Sequence, residues 1–510
     1  MVTNNGRWGN KSVTILFYLL RMKTNYEPAK TSFRAKTQIA LLSLMTLFPF
    51  APTAFAAQLS DLLEKGIYSE ETKGDIDAAM KLYQQIVSEG KTGQAVAAQA
   101  EYRLGVCYYK KKDYAKATAT FEKLIKDYPE QKELIALAQD YLAGEVSLLP
   151  APWADGELLR MDIRLGGGFR IGPATYGASS GEANGRKTWK LSSRLFAGIQ
   201  QLSNVEIDAE SGKPLHSRWK HTLLGDVDAV YSAGHAELKF KGKEETKKID
   251  LEGIVYDNEE VVQMMRRLPL ATNYSKTIRI LSTLGGGALI PLKIEVAAIE
   301  KVQVPAGTFD CYRVELSVKQ TFWYSTDEHR YLVKFEAGGV TAELASIDRI
   351  TPGQPVSYKV PGQSLVLAAP SGWLLDNADS DETKVASKTL ILDPDATATS
   401  FLFISDLQNL KEEEKKSLRA YADAQIADGM KSLKDLKVRP DSWKNLTIAG
   451  QPGLSAMADF VEGREKKTGY VAVAFVGTKA VQFISYTLAA DFETFLPALS
   501  SVVDSLKSTQ

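Results

Sequence analysis

The chain has four histidines, His216, His221, His235 and His329. Imidazole is the side chain most suited to zinc ligation and to proton transfer near neutral pH. His216 and His221 stand five residues apart in a stretch with strand patterning, so their side chains leave opposite faces. No cysteine or further histidine completes a tetrahedral set beside them, and no metal site is expected. Asp327 and His329 read equally as a turn pair or as a dyad. The glycine runs Gly166–Gly168 and Gly285–Gly287 do not continue as Gly-Lys-Ser/Thr into a helix. They read as bulges or turns rather than phosphate loops. Cys107, between Val106 and Tyr108, occupies an apolar helical position and reads as a small buried hydrophobe. Two cysteines cannot form a disulfide framework. The expectation is a protein that is not an enzyme and takes no cofactor.

The aromatic side chains are the other candidates for chemistry. Trp189, Trp219, Phe322, Trp323 and Tyr324 lie in strand-like segments and could line a cavity for one apolar ligand. Packing in a core or along a rim explains the same residues.

The 510 residues exceed one ordinary domain, and the length prior is about three. Apolar residues make up 44% and charged residues 24%, which excludes a disordered, collagen-like or multi-span membrane chain. Residues 1–56 read as a leader. Lys30, Arg34 and Lys36 precede an apolar run, Ile39–Phe50, and Ala54-Phe55-Ala56 has the small-x-small pattern of a signal-peptidase site. Cleavage is predicted after Ala56, with Met22 as the true start. The run is too short to span a bilayer, which needs about 20 apolar residues. The sequence balances 62 basic against 62 acidic residues, but the leader carries seven basic residues and one acidic. The mature chain is therefore net −6, which argues against nucleic-acid binding.

Residues 57–147 repeat. Asp75–Ile86 aligns with Asp113–Leu124 at an offset of 38, each with apolar residues at helical spacing. Leu104, Gly105, Tyr108, Ala117, Phe121 and Pro129 fall in a window of 34 residues, Ala98–Gln131, that resembles the tetratricopeptide repeat. The first copy departs from it: Ile67 stands where the glycine belongs, with Gly66 one place early. The resemblance implies paired helices and a surface for a protein partner. Leu134, Leu137, Ala138 and Tyr141 read as a capping helix.

Beyond Pro150-Ala-Pro-Trp153, residues 150–350 read as about ten short strands with one helix, Glu259–Arg267. This predicts a curved antiparallel sheet or barrel. The turn Val304-Pro-Ala-Gly-Thr-Phe309, with Phe322-Trp-Tyr324 and Tyr331–Phe335, resembles an exported bacterial family of unknown function, which implies a half-barrel without catalytic residues. Residues 355–510 read as α+β: strands around two amphipathic helices, Lys411–Leu433 and one from Asp491 that Pro497 should kink or delay. The opening Pro370-Ser-Gly-Trp373 and the turn Gly450-Gln-Pro-Gly453 resemble the photosystem II extrinsic-protein (PsbP) and Mog1-like family, which implies binding or assembly.

The whole reads as a multidomain, exported, periplasmic or secreted bacterial envelope protein. TPR-like helices would hold protein partners, and the β units would serve as binding modules. The alternative is a periplasmic carrier or sensor with an apolar or lipid-like ligand in the middle unit. No nucleic acid and no transmembrane span in the mature chain are expected.

Overall fold

The computed structural model describes residues 52–89, 94–166, 168–197, 200–283, 285–378, 387–429 and 433–509. Met22 and all of the leader before Pro52 lie outside these residues. The first helix, α1 (Pro52–Ile67), runs through the expected cleavage point. It ends in a π-helical turn, Tyr68–Thr72, and is followed by α2 (Ile76–Glu89), α3 (Gln94–Lys110), α4 (Tyr114–Asp127) and α5 (Lys132–Gln139).

Asp75 and Asp113, 38 residues apart, start α2 and α4 in the same way. Each carboxylate accepts from a backbone N–H three residues on, Ala78 and Lys116 respectively. This satisfies donors that a helix start leaves open. Leu59, Leu63, Tyr83, Ile86, Leu104 and Cys107 form one core between α1, α2 and α3. Ala98, Ala117, Phe121, Leu124 and Ala138 form a second between α3, α4 and α5.

Fifteen strands then build one sheet. The first half is a meander of β1 (Glu157–Leu165), β2 (Phe169–Ala183), β3 (Arg186–Phe196), β4 (Gln200–Asp208), β5 (Pro214–His221), β6 (Gly225–Ser232), β7 (His235–Phe240) and β8 (Thr246–Asp250). The second comprises β9 (Val255–Asp257), β10 (Ser275–Ser282), β11 (Ala288–Val304), β12 (Gly307–Leu316), β13 (Gln320–Ser325), β14 (Leu332–Ala337) and β15 (Val340–Arg349). The halves join where β1 pairs antiparallel with β15, from Glu157↔Arg349 to Leu165↔Val340. All ladders are antiparallel except β9 with β10.

This order puts β8 and β9 at opposite ends of the sheet, although only Leu251–Ile254 separates them in sequence. Five residue steps reach at most about 17 Å. The sheet must therefore curl until its ends meet. Among the described residues no ladder joins them, so the molecule has a curved open sheet and not the closed barrel that was the other half of the expectation. The inside of the curl is filled. A short helix, α6 (Val261–Met264), and the turn Met265–Arg267 enter it, and Val261, Met264, Met265 and Leu268 pack on Ile278, Ile294, Val314 and Tyr324.

The sequence reading undercounts strands. It gives no bounds for β1, β2, β5 and β9 and reads Cys311–Tyr324 as one strand, where Ser317–Lys319, with Lys319 at φ 61°, separates β12 from β13.

The remaining elements are α+β. A small sheet of β16 (Val356–Lys359), β17 (Leu365–Ala369) and β26 (Lys507–Ser508) leads into an eight-stranded sheet. Its strands are β18 (Leu374–Asn377), β19 (Lys388–Leu392), β20 (Thr399–Asp406), β21 (Lys434–Val438), β22 (Lys444–Ile448), β23 (Gln451–Glu462), β24 (Glu465–Val476) and β25 (Lys479–Leu488). The predicted charged helix is broken into Glu412–Lys415 and α7 (Leu418–Gly429), because Ser417 Oγ accepts from Ala420 N–H and starts a new helix. The last helix, α8 (Phe492–Asp504), starts on time and runs through Pro497, against the expected delay.

Candidate functional site

Four of the six repeat residues, Leu104, Gly105, Ala117 and Phe121, are packed between helices. A Cβ at Gly105 would stand 2.6 Å from Phe121 Cε1, so only glycine lets α3 approach α4 this closely. Leu104, Ala117 and Phe121 are buried; Tyr108 is half-buried and accepts from Gln84 Nε2 at 3.1 Å; Pro129 is exposed.

Gly66 does the same work in the first copy, where a Cβ would lie 2.5 Å from Tyr83 Cε1. Gly66 precedes Asp75 by nine residues, whereas Gly105 precedes Asp113 by eight. The π-helical turn at Tyr68–Thr72 absorbs that extra residue, since each turn of this type holds one more residue than an α-turn spans. Glu70, within it, is buried and accepts from Tyr83 Oη (2.8 Å), Arg103 Nη1 (3.1 Å) and Lys110 Nζ (2.6 Å). Although burial opposes it, these donors hold the Glu70 carboxyl below its ordinary range.

The helical array stands on the large sheet. Tyr109 Oη donates to the Pro291 carbonyl at 3.1 Å and lies 3.2 Å from Ser317 Oγ. Lys293 Nζ meets Asp140 at 3.2 Å, the Asp140 carbonyl accepts from Thr277, and Gly144 N–H donates to the Thr277 carbonyl. An aromatic cluster of Tyr102, Tyr109, Tyr114, Phe121 and Tyr141 backs this contact. Asp77, Lys81, Gln84 and Gln85 of α2 and Glu122 and Lys126 of α4 remain exposed.

A second junction joins the sheet to the C-terminal elements. Arg170, 7% exposed at its side chain, grips Asp376 through two contacts of 2.7 and 2.9 Å, Asp162 at 2.9 Å and the Asn377 carbonyl at 2.8 Å. Arg160 donates to the Leu375 carbonyl, and Phe196 and Leu202 pack on Leu374 and Leu392. A cleft of about 490 Å³ lies beside this junction, lined by Leu158, Arg160, Ser346, Asp348, Tyr358 and Trp373 among others.

The five candidate ligand-lining aromatics are spread over separate clusters. Phe322 and Tyr324 stack at 6.2 Å, and Tyr324 Oη donates to the Val262 carbonyl, so both face the filled interior. Trp323 points the other way; its Nε1 donates to Glu300 at 2.6 Å, and Lys334 lies 4.6 Å over its ring. Trp189 meets Trp153 edge-on at 5.8 Å. Trp219 is buried near the ends of the sheet with Val227, Leu238, Val255 and Leu281.

The histidines do not converge. His216 Nε2 pairs with Asp228 at 3.0 Å, whereas His221 Nδ1 accepts from the Leu223 and Leu224 N–H groups. Burial pulls the His221 imidazole below its ordinary value. Asp327 forms a turn, accepting from Ser325 Oγ and the N–H groups of His329 and Arg330, so the pair with His329 is structural. Among the described residues no group of three His, Cys, Asp or Glu is placed to hold a metal. Cys107 and Cys311 are free and buried, and burial pushes both thiols up to about 12. One string with nucleophile-elbow spacing, Gly177-Ala-Ser179-Ser-Gly181, escaped the sequence reading. It lies inside β2, with Ser179 paired to Lys190 and no helix following, so it is not an elbow.

Sequence reasoning also missed a polar cluster in the curl. Asp257 and Glu260 are wholly buried and Glu259 half-buried. Burial, reinforced by Asp257, pushes the Glu259 carboxyl up to about 7 and the Glu260 carboxyl well above its ordinary range. Arg266, fully buried, pairs with Glu157 at 2.6 and 3.3 Å and donates to the His329 carbonyl. In sequence, Asp257-Asn-Glu-Glu260 looks like the acidic first turn of a helix, and nothing local marks it as interior.

Family models match two of the three segments for which a resemblance was read. A family model described as a protein of unknown function, DUF3108, matches residues 160–345, and a tetratricopeptide-repeat model matches residues 99–130. No curated protein matches the chain. Similar solved structures include cyanobacterial PsbP (CyanoP) of Synechocystis sp. PCC 6803, at 11% identity over 32% of this chain and 97% of that one, with a TM-score of 0.26. The Ran-binding protein Mog1p of Saccharomyces cerevisiae matches at 7% identity over 31% and 96%, with a TM-score of 0.24. LpqN of Mycobacterium tuberculosis, described as involved in cell envelope biogenesis, matches at 16% over 31% and 87%, with a TM-score of 0.22. None of these families or structures is named for an enzymatic activity. Among the described residues no helix is long and apolar enough to cross a membrane.

Proposed function

We propose that this chain is an exported, non-enzymatic adaptor of the bacterial cell envelope, divided into a leader (1–56), a helical array (57–147), a β unit (150–350) and an α+β unit (355–510). The array takes a protein partner, and the two β-containing units form the base that holds it. The repeat match at residues 99–130 carries this reading. The way the array is mounted supports it: Tyr109, Asp140 and Gly144 fix it to the sheet, while the polar faces of α2 and α4 stay exposed. The Arg170–Asp376 grip and its apolar neighbours make the base stiff.

A carrier would need interior room where Val261, Met264 and Met265 are packed. Reversing charge on the exposed array, with Lys81→Glu and Lys126→Glu, should reduce co-purification of an envelope protein at least about tenfold while leaving the fold intact. Unchanged recovery of the same protein would sink the adaptor reading.

A further inference from the structure

Among the described residues no backbone ladder joins the sheet's two free ends, and one turn bridges the seam where they meet. Asp257 Oδ2 accepts from Tyr231 Oη of β6 at 2.6 Å. Asn258 Oδ1 accepts from Thr283 N–H and Oγ1, both at 3.0 Å, at the end of β10. Glu259 accepts from Asn258 Nδ2 at 2.7 Å and from Ser193 Oγ of β3 at 3.3 Å. Three consecutive residues, Asp257, Asn258 and Glu259, thus reach both halves of the sheet. Apolar packing crosses here too, with Trp219, Val227 and Leu238 on Val255 and Leu281; in addition Lys247 Nζ donates to the Gly286 carbonyl at 2.6 Å, and Ile249 and Leu238 close on Gly287.

We propose that the Asp257–Glu260 turn is a clasp that keeps the seam shut at acidic pH and releases it as pH rises, uncovering the apolar interior around Trp219. The groups that meet Asp257 and Glu259 are the uncharged Tyr231, Ser217, Ser193, Ser203, Gln201 and Asn258, with Tyr176 also facing Glu259 and Tyr256 facing Glu260. One cation, Arg267, faces Glu260, and its guanidinium also donates to the Leu149 and Glu210 carbonyls. Both carboxylate oxygens of Glu260 are buried without a hydrogen-bond partner. Burial therefore favours the uncharged form of all three carboxyls, most of all at Glu260, whose oxygens have no donor.

The sign follows from linkage. A carboxyl raised in the closed seam and ordinary in the open one stabilises closure fully below its open-state value. That contribution is lost as pH rises through the closed-state value, which is about 7 for Glu259.

Hydrogen exchange of the intact chain, corrected for intrinsic rates, tests the clasp. Protection of Thr246–Asp250 and Val255–Asp257 should fall about ten- to a hundredfold from pH 5 to pH 8, with β23 and β24 unchanged. Glu259→Gln with Glu260→Gln should reduce that fall to less than about threefold. Equal protection at both pH values overturns the proposal, and so does an equal loss in β23 and β24. A double variant that keeps the full wild-type fall also overturns it. Should the double variant not fold, the local comparison within the wild-type chain still decides.

Discussion

Gly105 and Gly66 show how much a missing side chain can determine. At both positions the neighbouring ring occupies the space a methyl would need. Overpacking of this kind costs about 1–3 kcal/mol, which exceeds the ~1 kcal/mol an alanine gains in a helix interior. Gly105→Ala should therefore lower amide protection across α3 and α4, and shortening the facing ring with Phe121→Leu should restore part of it. Raised protection in the single variant would contradict the close-packing account.

The buried Arg266–Glu157 pair gives a second test. Removing one partner strands a charge and typically costs about 3–5 kcal/mol, whereas replacing both by apolar groups can be nearly neutral. In urea unfolding, Glu157→Leu should be much less stable than the double variant Glu157→Leu, Arg266→Met. Equal losses would show that the pair's charge is not what matters.

At the scale of elements, some of the architecture was legible and some was not. The offset of 38 found the repeat, and the first residues of its two copies, Asp75 and Asp113, start α2 and α4 in the structure. The first glycine looked misplaced because sequence spacing assumes α-turns throughout, and the π-turn at Tyr68–Thr72 breaks that assumption. Strand β2 was passed over because Gly172, Pro173, Gly177 and Gly181 weaken its local preference; pairing with β1 and β3 on either side overrides it. The clasp was invisible for the same reason: burial of Glu259 depends on Ser193, 66 residues away.

The junction between the sheet and the C-terminal elements belongs to this scale too. Leu374→Asp places a charge among Phe196, Leu202 and Leu392. It should open that junction, seen as faster proteolysis between residues 350 and 375 with protection elsewhere kept. An unchanged cleavage pattern would mean that the junction is not held there.

For the whole molecule, the balanced charge of the 510 residues masks a division: residues 1–56 carry seven basic residues and one acidic, and residues 57–510 are net −6. The open, filled sheet and its two junctions describe a support on which the helical array is mounted with α2 and α4 outward. The most direct test of that account is photocrosslinking in the living envelope. A photoreactive residue would replace Lys81, Gln85 or Lys126 on the array, or Lys359 or Lys444 on the C-terminal elements as controls, and mass spectrometry would identify the adducts. The adaptor account predicts one recurring protein adduct from the three array positions and its absence from the two controls. No array adduct, or the same adducts from all five positions, would contradict it.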